Sequence, residues 1–103
     1  MDEGIPTGDD LVALLAALAS PHRLRVVAAL AGGRNYVSQL ARDLGISRAL
    51  LQVHLKKLEA SGLVTSALEV SEDGKAMHYY EVVPFAVHLT PETVERASTS
   101  LTL

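Results

Sequence analysis

Four side chains between positions 48 and 57 carry chemistry suited to a polyanion that displays hydrogen-bonding bases. Arg48 and Gln52 stand one helical turn apart, and both can make bidentate hydrogen bonds to purine edges. Lys56 and Lys57 follow one turn later, as charges suited to phosphate oxygens. Ala49 and Val53 share that side of the segment, and Ser47 stands at its start. Arg42 is a further cation upstream, open to a phosphate contact or to an ion pair with Asp43 or another neighbour. The bland reading of the same set is a solvated helix face.

Other chemistries find less support. There is no cysteine, which excludes disulfides, thiolate metal sites and a cysteine nucleophile. No glycine-rich phosphate loop occurs, and no His/carboxylate set is tied to one segment, so no catalytic residue and no cofactor is expected. His22, His54, His78 and His88 are scattered. His54 falls at the edge of a leucine stripe and reads as a packed, hydrogen-bonded structural histidine. One divalent-metal candidate stands apart, His88 with Glu92 and Glu95, completed across a dimer. Thr90-Pro91 starts a new helix between His88 and Glu92, which removes the usual i, i+4 geometry.

Formal net charge is −3, on its face unfavourable to nucleic acid. The distribution says otherwise. Residues 20–57 hold seven cations against one anion, or +6, while the remaining segments hold two cations and eleven anions, or −9. A basic middle between acidic ends is the asymmetry to explain.

The elements that must position these residues follow from periodicity and caps. Asp9 or Asp10 caps a helix over 11–19 whose stripe is Leu11, Leu14, Leu15 and Leu18. Its other positions are Ala and Val, so it is apolar nearly all round and calls for a second partner, such as another subunit. Ser20-Pro21 opens a second helix with Leu24, Val27, Ala28 and Leu30 inward, ending at Gly32-Gly33. A third helix spans 37–44, with Leu40, Ala41 and Leu44 on its apolar face. Gly45 ends it, and Ser47 caps a fourth over 48–60 with Leu51, Leu55 and Leu58 on one side of the helical wheel. Strands are expected over 65–70 and 76–83, joined by a turn at Asp73-Gly74. The alternation of Phe85, Val87 and Leu89 suggests a short third strand, and Thr90-Pro91 starts a last helix through Val94, Ala97 and Leu101. Tyr79 and Tyr80 face opposite ways, one toward the core and one outward.

Two short helices joined by Gly45-Ile46-Ser47, the second basic on one face and followed by a hairpin, form a winged helix-turn-helix arrangement. Residues 18–27 (LASPHRLRVV) resemble the second-helix opening of ArsR-type regulators, and residues 39–47 (QLARDLGIS) resemble their first motif helix and turn. Residues 52–64 (QVHLKKLEASGLV) are similar to their recognition helix, and residues 74–80 (GKAMHYY) to the returning wing strand. The resemblance spans roughly residues 11–83, in order. It implies a dimer formed by the first and last helices, base contacts from the recognition helix, and often repression relieved by a ligand. Three departures stand out. The stretch 36–44 lacks the cysteines of metal-sensing members, Leu50 stands where a small hydroxyl residue is frequent, and the wing is acidic. Glu69, Glu72, Asp73 and Glu81 against Lys75 leave it at −3, which should repel phosphate.

The expectation is one mainly α domain over 1–103 with a small β-wing. Residues 1–8 would be flexible, the helix-turn-helix would occupy 37–60, and the wing 64–83. Its expected partners are double-stranded DNA and a second copy of itself, through Ser47, Arg48, Ala49, Gln52, Val53, Lys56, Lys57 and Arg42 for DNA. The longest apolar stretch is nine residues, too short for a membrane span, and the N-terminus lacks the basic start of a secretory signal, so a cytoplasmic protein is expected. Two alternatives remain: a winged-helix module that docks a protein, and a metal- or small-molecule-responsive sensor of the same fold.

Overall fold

Caps and breakers divide the chain much as their positions suggest. The computed structural model describes residues 7–102. The elements are α1 (Gly8–Leu18), α2 (Pro21–Ala31), β1 (Asn35–Tyr36), α3 (Val37–Leu44), α4 (Arg48–Ala60), β2 (Val64–Val70), β3 (Ala76–Val82) and α5 (Pro91–Ser98). Ser20 caps α2, Ser47 caps α4 and Thr90 caps α5, each accepting from a backbone N–H in the first turn. Gly45 ends α3 at φ 67°, in the left-handed region where a side chain is disfavoured. Among the described residues no single helix is long and apolar enough to cross a membrane.

The core is leucine and valine from α2, α3, α4 and the sheet. Leu51, Leu55 and Leu58 are 0% exposed, and Val26, Leu30, Leu40, Val64 and Tyr80 close around them. The apolar stripe expected on the fourth helix is therefore the one that is buried.

Several expectations need correction. Thr7, not Asp9 or Asp10, caps α1, by accepting from Asp10 N. Thr7 and Gly8 are thus part of an ordered helix start, whereas the rest of the expected flexible segment lies outside the described residues. Gly8 is buried because α5 packs directly over it. A Cβ there would stand 2.4 Å from the Ala97 carbonyl oxygen. Asp9, freed from capping, instead accepts from the backbone N–H and the hydroxyl of Thr102.

On α1, Leu11 is buried but Leu15 is exposed. On α2 the inward pair is Val26 and Leu30, one turn apart, with Val27 partly buried; Leu24 and Ala28 face outward. Leu24 lies about 200° around the helix from Val26, so both cannot face the core.

The sheet is antiparallel in the order β1-β3-β2. Residues 85–89 form no strand. β3 pairs with β2 along seven residues and with β1 at two, where Asn35 and Tyr36 pair with Tyr80 and Tyr79. Tyr80 is buried, and Tyr79 is half-buried with its ring edge-on to Tyr36. The hairpin turn holds only one residue at positive φ, Gly74, within the loop 71–75 closed by Ser71 N–H to the Lys75 carbonyl.

Candidate nucleic-acid interface

The turn before α4 sets the presentation of its outer face. Gly45 reverses the chain, and the Ile46 N–H bonds back to the Ala41 carbonyl while its side chain lodges against the core. The Ser47 hydroxyl oxygen accepts from Leu50 N at 3.1 Å, which leaves its proton free to donate outward. Because Leu51, Leu55 and Leu58 point inward, Ser47, Arg48, Ala49, Gln52, Val53, Lys56 and Lys57 all lie exposed on the remaining surface. No carboxylate shares that run. The next acidic residue, Glu59, accepts from the Ser66 hydroxyl on β2.

Arg48 stands between two open clefts. One, of about 460 Å³, is lined with Ser38, Arg42, Gly45 and Ile46. The other, of about 410 Å³, joins the first turn of α4 to β1, α3 and the wing, with Tyr36, Ser38, Gln52 and His78 on its walls. Tyr36, Ser38 and His78 were not singled out from sequence. They reach the cleft only because the two-residue strand β1 pins the start of α3 against β3, and two residues are too few to show alternation.

The basic block proves to be of mixed use. The Arg23 guanidinium bonds the Ala16 and Ala17 carbonyls at the end of α1. Arg34 pairs with Glu69 on β2 and lies 4.0 Å over the Tyr79 ring. Its hydrogen bond is the main reason that the Glu69 carboxyl sits below, and the guanidinium above, their ordinary values. Arg42 is exposed and donates to Gln39, which in turn donates to Asp43. Of the two readings of Arg42, a phosphate contact or an ion pair, the direct pair with Asp43 gives way to this bridge.

The wing is acidic, but not evenly so. In the β2–β3 register, residues opposite each other share a face, so Glu69 and Glu81 lie with Tyr79 on the side opposite buried Tyr80. The face that continues from Tyr80 carries His78, Ala76, Leu68 and Val70 instead. Glu72 and Asp73 sit in the loop at the tip. The Asp73 carboxyl is held below its ordinary value by the Ser71 hydroxyl and then by Lys75 N–H. The −3 of the sequence count is thus divided between an Arg34-paired rear face and the tip.

Among the described residues no three His, Cys, Asp or Glu side chains are placed to hold a metal ion. His88, Glu92 and Glu95 are not brought together within one chain, because Pro91 starts α5 after His88.

Comparison with known proteins now decides the family. A family model described as bacterial regulatory protein, arsR family, matches residues 20–66. The chain is also 31% identical over 87 residues to an HTH-type transcriptional regulator of Methanocaldococcus jannaschii, covering 84% of this chain and 90% of that one. The chain belongs to the arsR family of bacterial regulatory proteins. This arsR-family regulator is 42% identical over 59 residues to the HTH-type transcriptional regulator CmtR of Mycobacterium tuberculosis, a match to 57% of this chain and 50% of CmtR. In structure it resembles a homodimeric winged helix-turn-helix DNA-binding domain from Mycobacterium bovis, with a TM-score of 0.66 at 26% identity over 85% of this chain and 70% of that one. HlyU of Vibrio cholerae shares the fold at a TM-score of 0.66 and 23% identity, over 96% of this chain and 92% of HlyU.

Proposed function

We propose that this arsR-family regulator binds double-stranded DNA as a homodimer, with α4 lying in the major groove. The observation that carries the reading is the sidedness of α4. One stripe is fully buried, and the opposite run offers Arg48, Gln52, Lys56 and Lys57 with no carboxylate among them. Arg48 and Gln52, in the first turns, read base edges. Ala49 and Val53 lie beside them against the groove floor. Ser47, Lys56, Lys57 and Arg42 hold phosphate oxygens and fix the register.

The dimer is formed by α1 and α5. Val12 and Leu15 on α1 are 58% and 43% exposed, and Val94 on α5 is exposed as well. An apolar surface of that sort on a small chain suits a second copy.

Selection of bound sequences from random DNA, followed by affinity against salt, tests both parts. A defined, two-fold-related site and a steep loss of affinity with salt are expected. Negligible DNA binding even at low salt would overturn the reading in favour of a protein-docking module.

A further inference from the structure

His54 sits half-buried where α4 meets α2, and its Nδ1 lies 3.3 Å from Nη1 of Arg23. The same guanidinium donates from Nε to the Ala17 carbonyl and from Nη2 to that of Ala16. Helix α1 has no basic residue in its own last turn, so a cation from α2 serves its negative end. One planar group therefore ties α1, α2 and α4 together.

A guanidinium only donates. Nδ1 of His54 must accept, which places the neutral ring's proton on Nε2. Among the described residues, Nε2 of His54 is the buried side-chain nitrogen or oxygen that lacks a partner.

We propose that Arg23 and His54 form a proton-operated latch, in which proton uptake at Nδ1 of His54 expels the guanidinium and frees the end of α1. The added proton sets donor against donor and positive charge against positive charge at a hydrogen-bond contact. From α2, the His22 ring packs 5.2 Å from that of His54, and from α4 itself Lys57 opposes a second positive charge. Among the described residues no carboxylate offsets them. Asp9 and Asp10 are in the first turn of α1, Asp43 of α3 accepts from Gln39 and Asn35, Glu69 of β2 holds Arg34, and Glu59 holds Ser66.

Burial first, then Arg23, His22 and Lys57, keep His54 below its ordinary 6.5. The latch is therefore closed at neutral pH and opens as pH falls below the usual imidazole range. The neutral ring is favoured by folding, so its contribution to stability is complete above the unfolded value and is lost as pH falls through the folded one. Opening loosens the helix that carries Val12 and Leu15 and so weakens pairing and DNA affinity. That last consequence rests on the proposed DNA-binding function; the latch itself does not.

The test follows the Arg23 Nε–H and the His54 ring together by NMR on the whole chain without DNA, from about pH 8 to about pH 5. A shared midpoint is expected, with amide protection in α1 falling across it. His54→Gln keeps an acceptor for Arg23 but takes up no proton, so its α1 should stay protected in acid; His22→Gln should still open in acid, with its midpoint moved upward. An Arg23 signal that stays still while His54 protonates would overturn the latch, as would a His54→Gln α1 that opens like the wild type. If His54→Gln fails to fold, the wild-type titration decides alone. DNA affinity at about pH 8, where the latch is closed, tests the other reading separately.

Discussion

The body made of α2, α3, α4 and the sheet holds most of the core, to which α1 adds Ala17; α5 adds only Ala97 to the buried set. In the body, Leu51, Leu55 and Leu58 from α4 are shielded completely within the core. The outer pair is joined by a close helix approach at Gly8 and by polar bonds, Gly8 N–H to Ser100 and Asp9 to Thr102. It leaves Val12, Leu15 and Val94 in the open, while the body exposes Leu24 on α2 and Leu68 and Val70 on the wing. Folding and assembly therefore rest on different elements, and separate substitutions should reach them separately.

The largest effect should come from the body. Leu55→Ala removes a fully buried side chain from the centre of the core and should cost about 2–5 kcal/mol in denaturant unfolding. A loss below that range would mean that the body is less closed than its burial indicates.

Next in size is the join between the two regions. Gly8→Ala drives a methyl group into the Ala97 carbonyl and the Leu101 side chain, for about 1–3 kcal/mol of overpacking. Amide exchange should rise in α1 and α5 and stay unchanged in α3 and α4. Exchange rising equally everywhere would erase the distinction between the regions.

Recognition should respond to single side chains of α4. Arg48→Ala and Gln52→Ala should each lose about 1–3 kcal/mol of discrimination for a lost base contact. Lys56→Ala should weaken all sequences alike and flatten the salt dependence. Identical behaviour of the three would erase the division between reading and gripping.

Assembly should yield without any loss of fold. Val12→Glu with Leu15→Glu replaces exposed side chains, so circular dichroism should be unchanged while sedimentation shows monomer. Leu11 is unsuited to this test, because it is buried within the chain. A wild-type chain already monomeric at micromolar concentration would remove the outer pair's proposed role.

The smallest effect belongs to the wing tip. Glu72→Gln with Asp73→Asn removes two exposed charges and should raise non-specific DNA affinity slightly, most at low salt. The turn should survive, since only Gly74 has positive φ. Weaker binding by the folded variant would show that the acidic tip makes a contact of its own.

Much of this was legible in sequence because it is local. Ser20, Ser47 and Thr90 each accept from a backbone N–H a few residues along, and Gly45 needs nothing beyond its own φ. The α4 stripe and its basic outer run follow from 3.6-residue spacing alone. The DNA-facing candidates on α4 emerged exposed for the same reason: once Leu51, Leu55 and Leu58 are inside, the others have nowhere else to point.

What tertiary structure decided are contacts across long separations. Arg34 and Glu69 are 35 residues apart and Gly8 and Ser100 are 92 apart, and no periodicity links them. Seven cations in one block looked like a single electrostatic surface, yet Arg23 caps a foreign helix and Arg34 pairs with Glu69 on the rear of the wing. The sheet edge tells the same story. Residues 85–89 have strand alternation yet pair with no strand, whereas Asn35 and Tyr36 have almost no pattern and pair with β3. Local patterns set what each segment is able to form. Which charges stay free, which edge is filled and which glycine must remain bare depend on what the fold brings alongside, because hydrogen bonds and close packing are satisfied between partners and not within a segment.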